Sequence, residues 1–292
     1  MKYFIAILLA LGLAATTFIG TSGDTTQSPQ MVSFQEPKLQ WNRYTNANFE
    51  ILSIDDAKGQ YLNENIIPIK SWLITRWGFH NTGFSTKCKL VVTSTDKDFR
   101  EFFSKDSPQY KVTNNEIVIW LSAESPRWNT SVLTKAMTEV VLQEIENKQN
   151  AKFGFWVHRG MPILNGDLPS VRQNFGNLSI ISQKNIQAYG TKDIVTMTPD
   201  LLSKQPPEVA AWYDGQSAAL MLMLVKEYGG VGKFNTFIKS PDPEVALRNI
   251  YGINSYADCD ILLNRFISNL STDIIGQGRK VPPNSYFTWP IP

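Results

Sequence analysis

The stretch that decides the fold of this chain reads Leu133-Thr-Lys-Ala-Met-Thr-Glu-Val-Val-Leu-Gln-Glu-Ile145, followed after a short gap by Phe155-Trp-Val-His-Arg-Gly-Met-Pro162. In the first segment apolar residues recur three and four positions apart, which is typical of a helix with one buried face. The spacing predicts a long helix over residues 131–146. Lys135 and Glu139 are one turn apart on that helix and are therefore predicted to lie on the same face.

The elements around this helix change in type along the chain. β-branched and alternating patterns predict strands at 49–54, 87–93 and 116–121. Apolar residues at helical spacing predict helices at 63–77 (kinked or begun near Pro68), 95–103, 208–228, 233–238, 243–251 and 258–269. Because the strands come first and the helices dominate later, the predicted class is α+β. We expect a small N-terminal sheet with helices, followed by a mostly helical C-terminal lobe.

The charge balance narrows the classes of partner. The chain has 28 basic and 26 acidic residues, a formal net charge of +2, and no stripe of basic residues. A nucleic-acid partner is therefore not expected. The chain contains two cysteines, Cys88 and Cys259. In an exported protein these could form a disulfide or remain as two buried thiols, and the sequence leaves both alternatives open.

The N-terminal segment predicts where the protein acts. Lys2 is followed by an uncharged, mostly apolar run and then by small residues, so 1–23 has the pattern of an export signal. The run is also long enough to stay as a membrane anchor, which would be the one contact with a membrane. We expect a secreted, periplasmic or cell-surface protein. Residues 24–37 are predicted to be a linker, 38–275 the folded domain and 276–292 an irregular tail.

The two segments quoted first resemble the active-site motifs of gluzincin, or peptidase-MA-like, zinc peptidases. That family has the pattern V-L-x-H-E-x-x-H-x-V-x, and W-L-x-E-G-x-A follows about twenty residues later. In this register Lys135 stands at the first His, Ala136 at the general-base Glu, Glu139 at the second His and Arg159 at the Glu ligand. The resemblance covers most of 38–270 and implies a zincin-like fold in which every metal ligand has been replaced.

These replacements predict a site without zinc. An ammonium and a guanidinium have no lone pair for a metal, and Glu139 alone does not make a site. We expect Lys135, Glu139 and Arg159 to form an ion-pair cluster in the place of the metal; the alternative is that all three are ordinary surface charges. His158 adjoins Arg159 and, as one of two histidines, is expected to be a packed, hydrogen-bonded residue rather than a ligand.

Three aromatic residues that the resemblance places beside the active-site cleft of the family have two interpretations. The segment Trp212-Tyr-Asp-Gly-Gln-Ser217, which leads into a hydrophobic helix, resembles the family's helix beside the metal site. In that place Trp156, Trp212 and Tyr213 could line a groove that binds a peptide, a glycan or a protein. The alternative is that they pack inside the protein.

The sequence therefore predicts an exported, catalytically degenerate gluzincin-like pseudo-peptidase that acts as a binding or structural domain. The alternative function is an active hydrolase, such as a peptidase, that uses an unrecognised or non-standard site. The residues favour the first of these because the general base and all three ligands of the family motif are missing.

Overall fold

The computed structural model describes residues 40–79, 86–103, 110–113, 117–166, 171, 173–176, 178 and 189–275. The predicted export signal at 1–23, the linker at 24–37 and the tail at 276–292 lie outside these ranges, as does His80, the second histidine of the chain. The described residues form a sheet with helices on both faces, followed by a helical region. The predicted α+β class is confirmed.

The sheet has five strands in the described residues. They are β1 (Asn42–Asn46), β2 (Phe49–Ser53), β3 (Cys88–Thr93), β4 (Tyr110–Thr113) and β5 (Ile117–Ser122), in the order β1-β2-β3-β5-β4. The central strands β2, β3 and β5 are parallel, while the two outer strands are antiparallel to their neighbours. Parallel neighbours require long crossovers, and helices fill that role here.

Helices cover the two faces of the sheet unequally. Ile51, Leu90 and Ile119 are register partners across the central strands, and they belong to the main core with helix α1 (Asp56–Arg76). Because side chains alternate along a strand, Trp120 points to the opposite face. There it packs against Phe102 and other residues of helix α2 (Asp96–Phe103).

Helix α1 starts earlier than predicted. The prediction placed its start near residue 63 or at Pro68, but the helix begins at Asp56 and continues through Pro68. The side chain of Asp55 accepts a hydrogen bond from the backbone N–H of Lys58, 3.2 Å away. Asp55 is therefore an N-cap, which satisfies one of the free amides of the first turn. The helix buries Leu62, Ile66 and Leu73.

The long helix predicted over 131–146 is present as α3 (Leu133–Gln149), preceded by a π-helical turn at Trp128–Val132. It ends at Asn150, which has the left-handed backbone that often closes a helix. Helix α4 (Phe155–Asn165) follows and contains the second quoted segment. The later helices are α5 (Thr191–Thr196), α6 (Pro199–Ser203), α7 (Pro207–Glu227), α8 (Gly230–Ile238), α9 (Pro243–Ala246), a π-helical turn (Leu247–Tyr251) and α10 (Tyr256–Ile275).

A buried polar chain, meaning consecutive hydrogen bonds between the side chains of Trp77, Asn165 and Thr138, connects three helices. Trp77, which follows α1, donates its indole N–H to Oδ1 of Asn165 on α4 at 3.0 Å. Nδ2 of Asn165 donates in turn to Oγ1 of Thr138 on α3 at 2.8 Å. Asn165 and Thr138 are almost fully buried. Because buried polar groups need hydrogen-bond partners, these bonds fix the relative position of α1, α3 and α4.

The fold answers the question of the two cysteines. Cys88 lies in β3 and Cys259 in α10, and both are buried and unpaired, so the two-thiol alternative is the observed one. Among the described helices, none combines the length and the apolar composition needed to cross a membrane.

Candidate functional site

The candidate site lies where α3, α4 and α7 meet. Helix α4 packs against both α3 and α7 and therefore links these two helices. The approach to α7 is close at Gly160. A Cβ on Gly160 would lie 2.8 Å from the backbone N of Ala218 and 2.7 Å from Sδ of Met221. The absence of a side chain at Gly160 therefore permits this packing.

The motif positions on α3 are only partly accessible. Ala136, at the position that the resemblance predicts for the general base, is fully buried, with 0% of its surface exposed. Lys135 is half-buried, and its Cε would lie 2.9 Å from a Cβ on Gly166, the residue that follows α4. The side chain of Glu139 is 14% exposed. Polar residues of α3 therefore lie beside α4, while the apolar residues of the helix are buried in the core.

His158 lies between two carboxylates of α3. Its Nδ1 is 2.9 Å from Oε2 of Glu139, and its Nε2 is 3.2 Å from Oε1 of Glu146. Glu139 and Glu146 are seven residues apart, which is two helical turns and places them on the same face. Oε1 of Glu146 also accepts a hydrogen bond from the backbone N–H of Phe153 at 2.6 Å. Both ring nitrogens of His158 therefore have carboxylate neighbours.

This environment favours a charged imidazole. Burial opposes the charged form, but the hydrogen bonds to Glu139 and Glu146 and their negative charges outweigh it. Together they raise the pKa of His158 from 6.5 to about 10.

Arg159 turns to the other neighbouring helix. Its Nε and Nη2 donate to Oδ1 and Oδ2 of Asp214 on α7 at 2.7 Å and 2.6 Å. This is the paired geometry that a planar guanidinium and a carboxylate prefer. Burial opposes the charge of Arg159, but the bonds to Asp214 and its charge raise the pKa of the guanidinium. The same guanidinium lies 5.8 Å above the ring of Phe155.

Tyr110 approaches the site from the edge strand β4. Burial raises the pKa of its hydroxyl, and the negative charges of Glu139 and Asp214 add to this effect, while Arg159 opposes it. The hydroxyl therefore stays neutral at physiological pH. The sequence indicated no strand at 110–113, so Tyr110 was missed.

The partners of Glu139 and Arg159 differ from those in the predicted ion-pair cluster, which stays a prediction. The prediction joined Lys135, Glu139 and Arg159 to one another. In the structure His158 contacts Glu139, and Asp214 contacts Arg159. The positive charge of Lys135 acts on Asp214 as well. We define the charged cluster as three cationic and three anionic residues, Lys135, His158, Arg159, Glu139, Glu146 and Asp214.

Three members of the charged cluster were not assigned to it from the sequence. Asp214 lies within the quoted segment 212–217, and Glu146 stands two turns after Glu139, so both positions carried a usable signal. His158 was correctly described as hydrogen-bonded, but its carboxylate partners were not identified. Glu146 could have been found by following the face of α3 that carries Glu139 in steps of three or four residues.

The residues at the motif positions do not fit a zinc ion. Lys135 and Arg159 carry no lone pair at neutral pH, Ala136 has no polar group, and both nitrogens of His158 face carboxylates. Within the described ranges, no group of three or more His, Cys, Asp or Glu side chains is placed to hold a metal. No step of a zinc-dependent reaction can therefore be assigned to these residues.

The proposed groove residues lie mostly inside the protein. Trp156 is 3% exposed and packs against Phe234 and Phe237 of α8. Tyr213 is fully buried, and its hydroxyl donates to the backbone oxygen of Ile194 at 2.9 Å. Trp212 is half-buried against the core. For Trp156 and Tyr213 the groove prediction is wrong, because interior packing removes both rings from solvent.

No model of a known protein family matches the chain, and no curated protein matches it. The resemblance to gluzincin peptidases therefore stays a prediction from the motif residues.

Proposed function

We propose that this protein is an exported, catalytically degenerate relative of the gluzincin peptidases that acts as a binding or structural domain. One observation carries the proposal. The side chains at two former ligand positions are already bonded to other protein groups, Glu139 to His158 and Arg159 to Asp214. Groups satisfied in this way support the packing of three helices rather than the activation of a water molecule.

The chemistry of the motif positions supports the same proposal. Peptide hydrolysis at a zinc centre needs a general base beside the metal-bound water. The corresponding position is Ala136, which has no group that accepts a proton and is fully buried. Within the charged cluster, three cations face three carboxylates, so the charges balance without a metal ion.

A structural role, or binding through the outer surface, follows from the position of the aromatic residues. Two of the three aromatic residues that could have formed a binding groove, Trp156 and Tyr213, belong to the core. A peptide, glycan or protein partner would therefore contact the outer surface of the domain rather than a deep cleft between α3 and α7.

Metal content and peptidase activity test the proposal directly. We expect purified protein to carry far less than one zinc ion per chain and to show no peptide hydrolysis with or without added zinc. Stoichiometric zinc that survives dialysis, together with hydrolysis that a chelator abolishes, would establish the alternative function of an active hydrolase. Hydrolysis that a chelator does not affect would establish a non-metal hydrolase.

A second experiment tests the register of the motif. The variant Lys135→His/Glu139→His/Arg159→Glu restores the three ligands and leaves the buried Ala136 unchanged, so no carboxylate is forced into the core. If the register is correct, this variant should bind one zinc ion, because two His one turn apart and a Glu from the next helix form a zinc site. The matched control, Lys135→His/Glu139→His, should bind zinc more weakly. A folded triple variant that takes up no zinc would show that the register is wrong.

A further inference from the structure

The two carboxylates beside His158 restrict the protonation state of its ring. A neutral imidazole has one N–H donor and one nitrogen lone pair. In this protein both nitrogens lie within hydrogen-bond distance of a carboxylate oxygen, at 2.9 Å and 3.2 Å. A neutral ring would place its lone pair against one of those anions. The contacts are mutually compatible when both nitrogens carry a proton.

We infer that His158 is an imidazolium at physiological pH and joins α4 to α3 by donating one hydrogen bond to Glu139 and one to Glu146. The donor ring and the two acceptors lie on different helices. Glu139 and Glu146 come from the same face of α3, and His158 comes from the first turn of α4. Charge-assisted hydrogen bonds are about twice as strong as neutral ones, so this contact is a major link between the two helices.

The surroundings of the ring support a single charge state. On α3, Glu139 and Glu146 face the ring, and the ring of Phe153 lies 6.5 Å away on the loop between α3 and α4. From α4 and β4, Arg159 and Tyr110 act on Glu139 rather than on the ring itself. Two anions thus face the imidazole directly, and the cation next to it in sequence, Arg159, is bonded to Asp214.

The link also has a meaning for the degenerate motif, and this part of the inference rests on the proposed function. In a gluzincin the metal joins the motif helix to the following helix through its ligands. In this chain the positive centre between the same two helices is an imidazolium, and Glu139 at a former ligand position is one of its acceptors. His158 would thus replace the metal as the group that fastens the two helices, with no catalytic capacity.

Nitrogen NMR of the imidazole tests the inference. The chain has two histidines, so His80→Gln leaves His158 as the one imidazole in the full protein. We expect both ring nitrogens to show the protonated signal at pH 7 and to keep it until the pH approaches 10. If His80→Gln does not fold, the same spectrum of the wild type is assigned by comparison with His158→Gln. A neutral ring at pH 7, or titration between pH 6 and 7, would overturn the inference.

Two carboxamide variants test the role of each partner. Glu139→Gln and Glu146→Gln each remove one negative charge but keep the shape of the side chain, so each should lower the pKa of His158 by about one unit or more. Glu64→Gln, an exposed position on α1, is the matched control and should leave it unchanged. An unchanged pKa in both test variants would also overturn the inference.

The outcome is separable from that of the proposed function. Stoichiometric zinc in the purified protein would contradict the proposed function, whatever the state of His158. A neutral His158 in zinc-free protein would contradict this inference and leave the proposed function in place.

Discussion

Arg159 on α4 and Asp214 on α7 form a pair of parallel hydrogen bonds, 2.7 Å and 2.6 Å long, across the contact between the two helices. The neighbouring residue on α4, His158, bonds instead to α3. Two consecutive side chains of one short helix therefore hold it to two different helices. These contacts should therefore contribute to the stability of the fold.

The first prediction concerns the pair itself. Asp214→Asn removes the charge that Arg159 faces and should lower the free energy of unfolding by about 1–2 kcal/mol, because this partly buried pair has two charge-assisted bonds. The control is Asp200→Asn in the pair Lys204–Asp200, which has the same 2.6 Å separation but is mostly exposed. Since exposed pairs contribute little, the control should change stability by less than about 0.5 kcal/mol. Urea unfolding measures both; equal losses would refute the prediction.

The second prediction concerns the close approach of α4 to α7. Gly160→Ala places a methyl group 2.7–2.8 Å from Met221 and the backbone of Ala218, so the helices must separate. We expect a loss of about 1–3 kcal/mol, as for overpacked cores. In Gly232→Ala, on α8, the added methyl meets nothing within 4 Å and should be neutral or stabilising. Thermal unfolding of the two variants distinguishes them, and a stable Gly160→Ala would show that the contact is looser than described.

The third prediction concerns the buried polar chain. Asn165→Ala leaves the indole N–H of Trp77 and the hydroxyl of Thr138 without their Asn165 partner. The loss should be about 2–4 kcal/mol, because it combines a cavity with unpaired buried groups. Asn264→Ala, at an exposed position of α10, is the control and should have little effect. Chemical denaturation with tryptophan fluorescence follows both variants, and a small loss at Asn165 would mean that water replaces its bonds.

The fourth prediction is a pH dependence. The pKa of His158 is about 10 in the folded protein and about 6.5 in the unfolded chain. Because the folded value is raised, its stabilising effect is complete below pH 6.5 and is lost as the pH rises through 10. His158→Gln should cost about 2 kcal/mol at pH 6, since a charge-assisted link is removed. The difference between wild type and variant should shrink steadily between pH 7 and pH 10 in urea titrations, whereas a constant difference would assign the cost to packing alone.

Much of the fold followed from local patterns. The strands β2, β3 and β5 and the helix α3 were predicted because their buried residues recur with a clear period. The four-residue edge strand β4 was missed, because so short an element has no period to detect. The start of α1 was misplaced because Pro68 suggested a boundary, whereas the capping of Lys58 by Asp55 fixes it further upstream.

The site was predicted less well because its partners are distant in sequence. The common face of Lys135 and Glu139 follows from helix geometry alone. The contact of Arg159 with Asp214 joins residues 55 apart and depends on how α4 crosses α7. The burial of Tyr213 likewise depends on α5, because the backbone oxygen of Ile194 accepts a hydrogen bond from the Tyr213 hydroxyl. Such contacts come from the tertiary arrangement, and no local pattern specifies them.

The adjacency of His158 and Arg159 has a mechanical consequence. Successive residues of an α-helix point about 100° apart around its axis. With one bonded to α3 and the next to α7, a roll of α4 in either direction strains at least one of the two links. The two links together therefore restrict rotation of α4 about its own axis. A rotation of α4 against α3 and α7 therefore requires one of these two charged contacts to break.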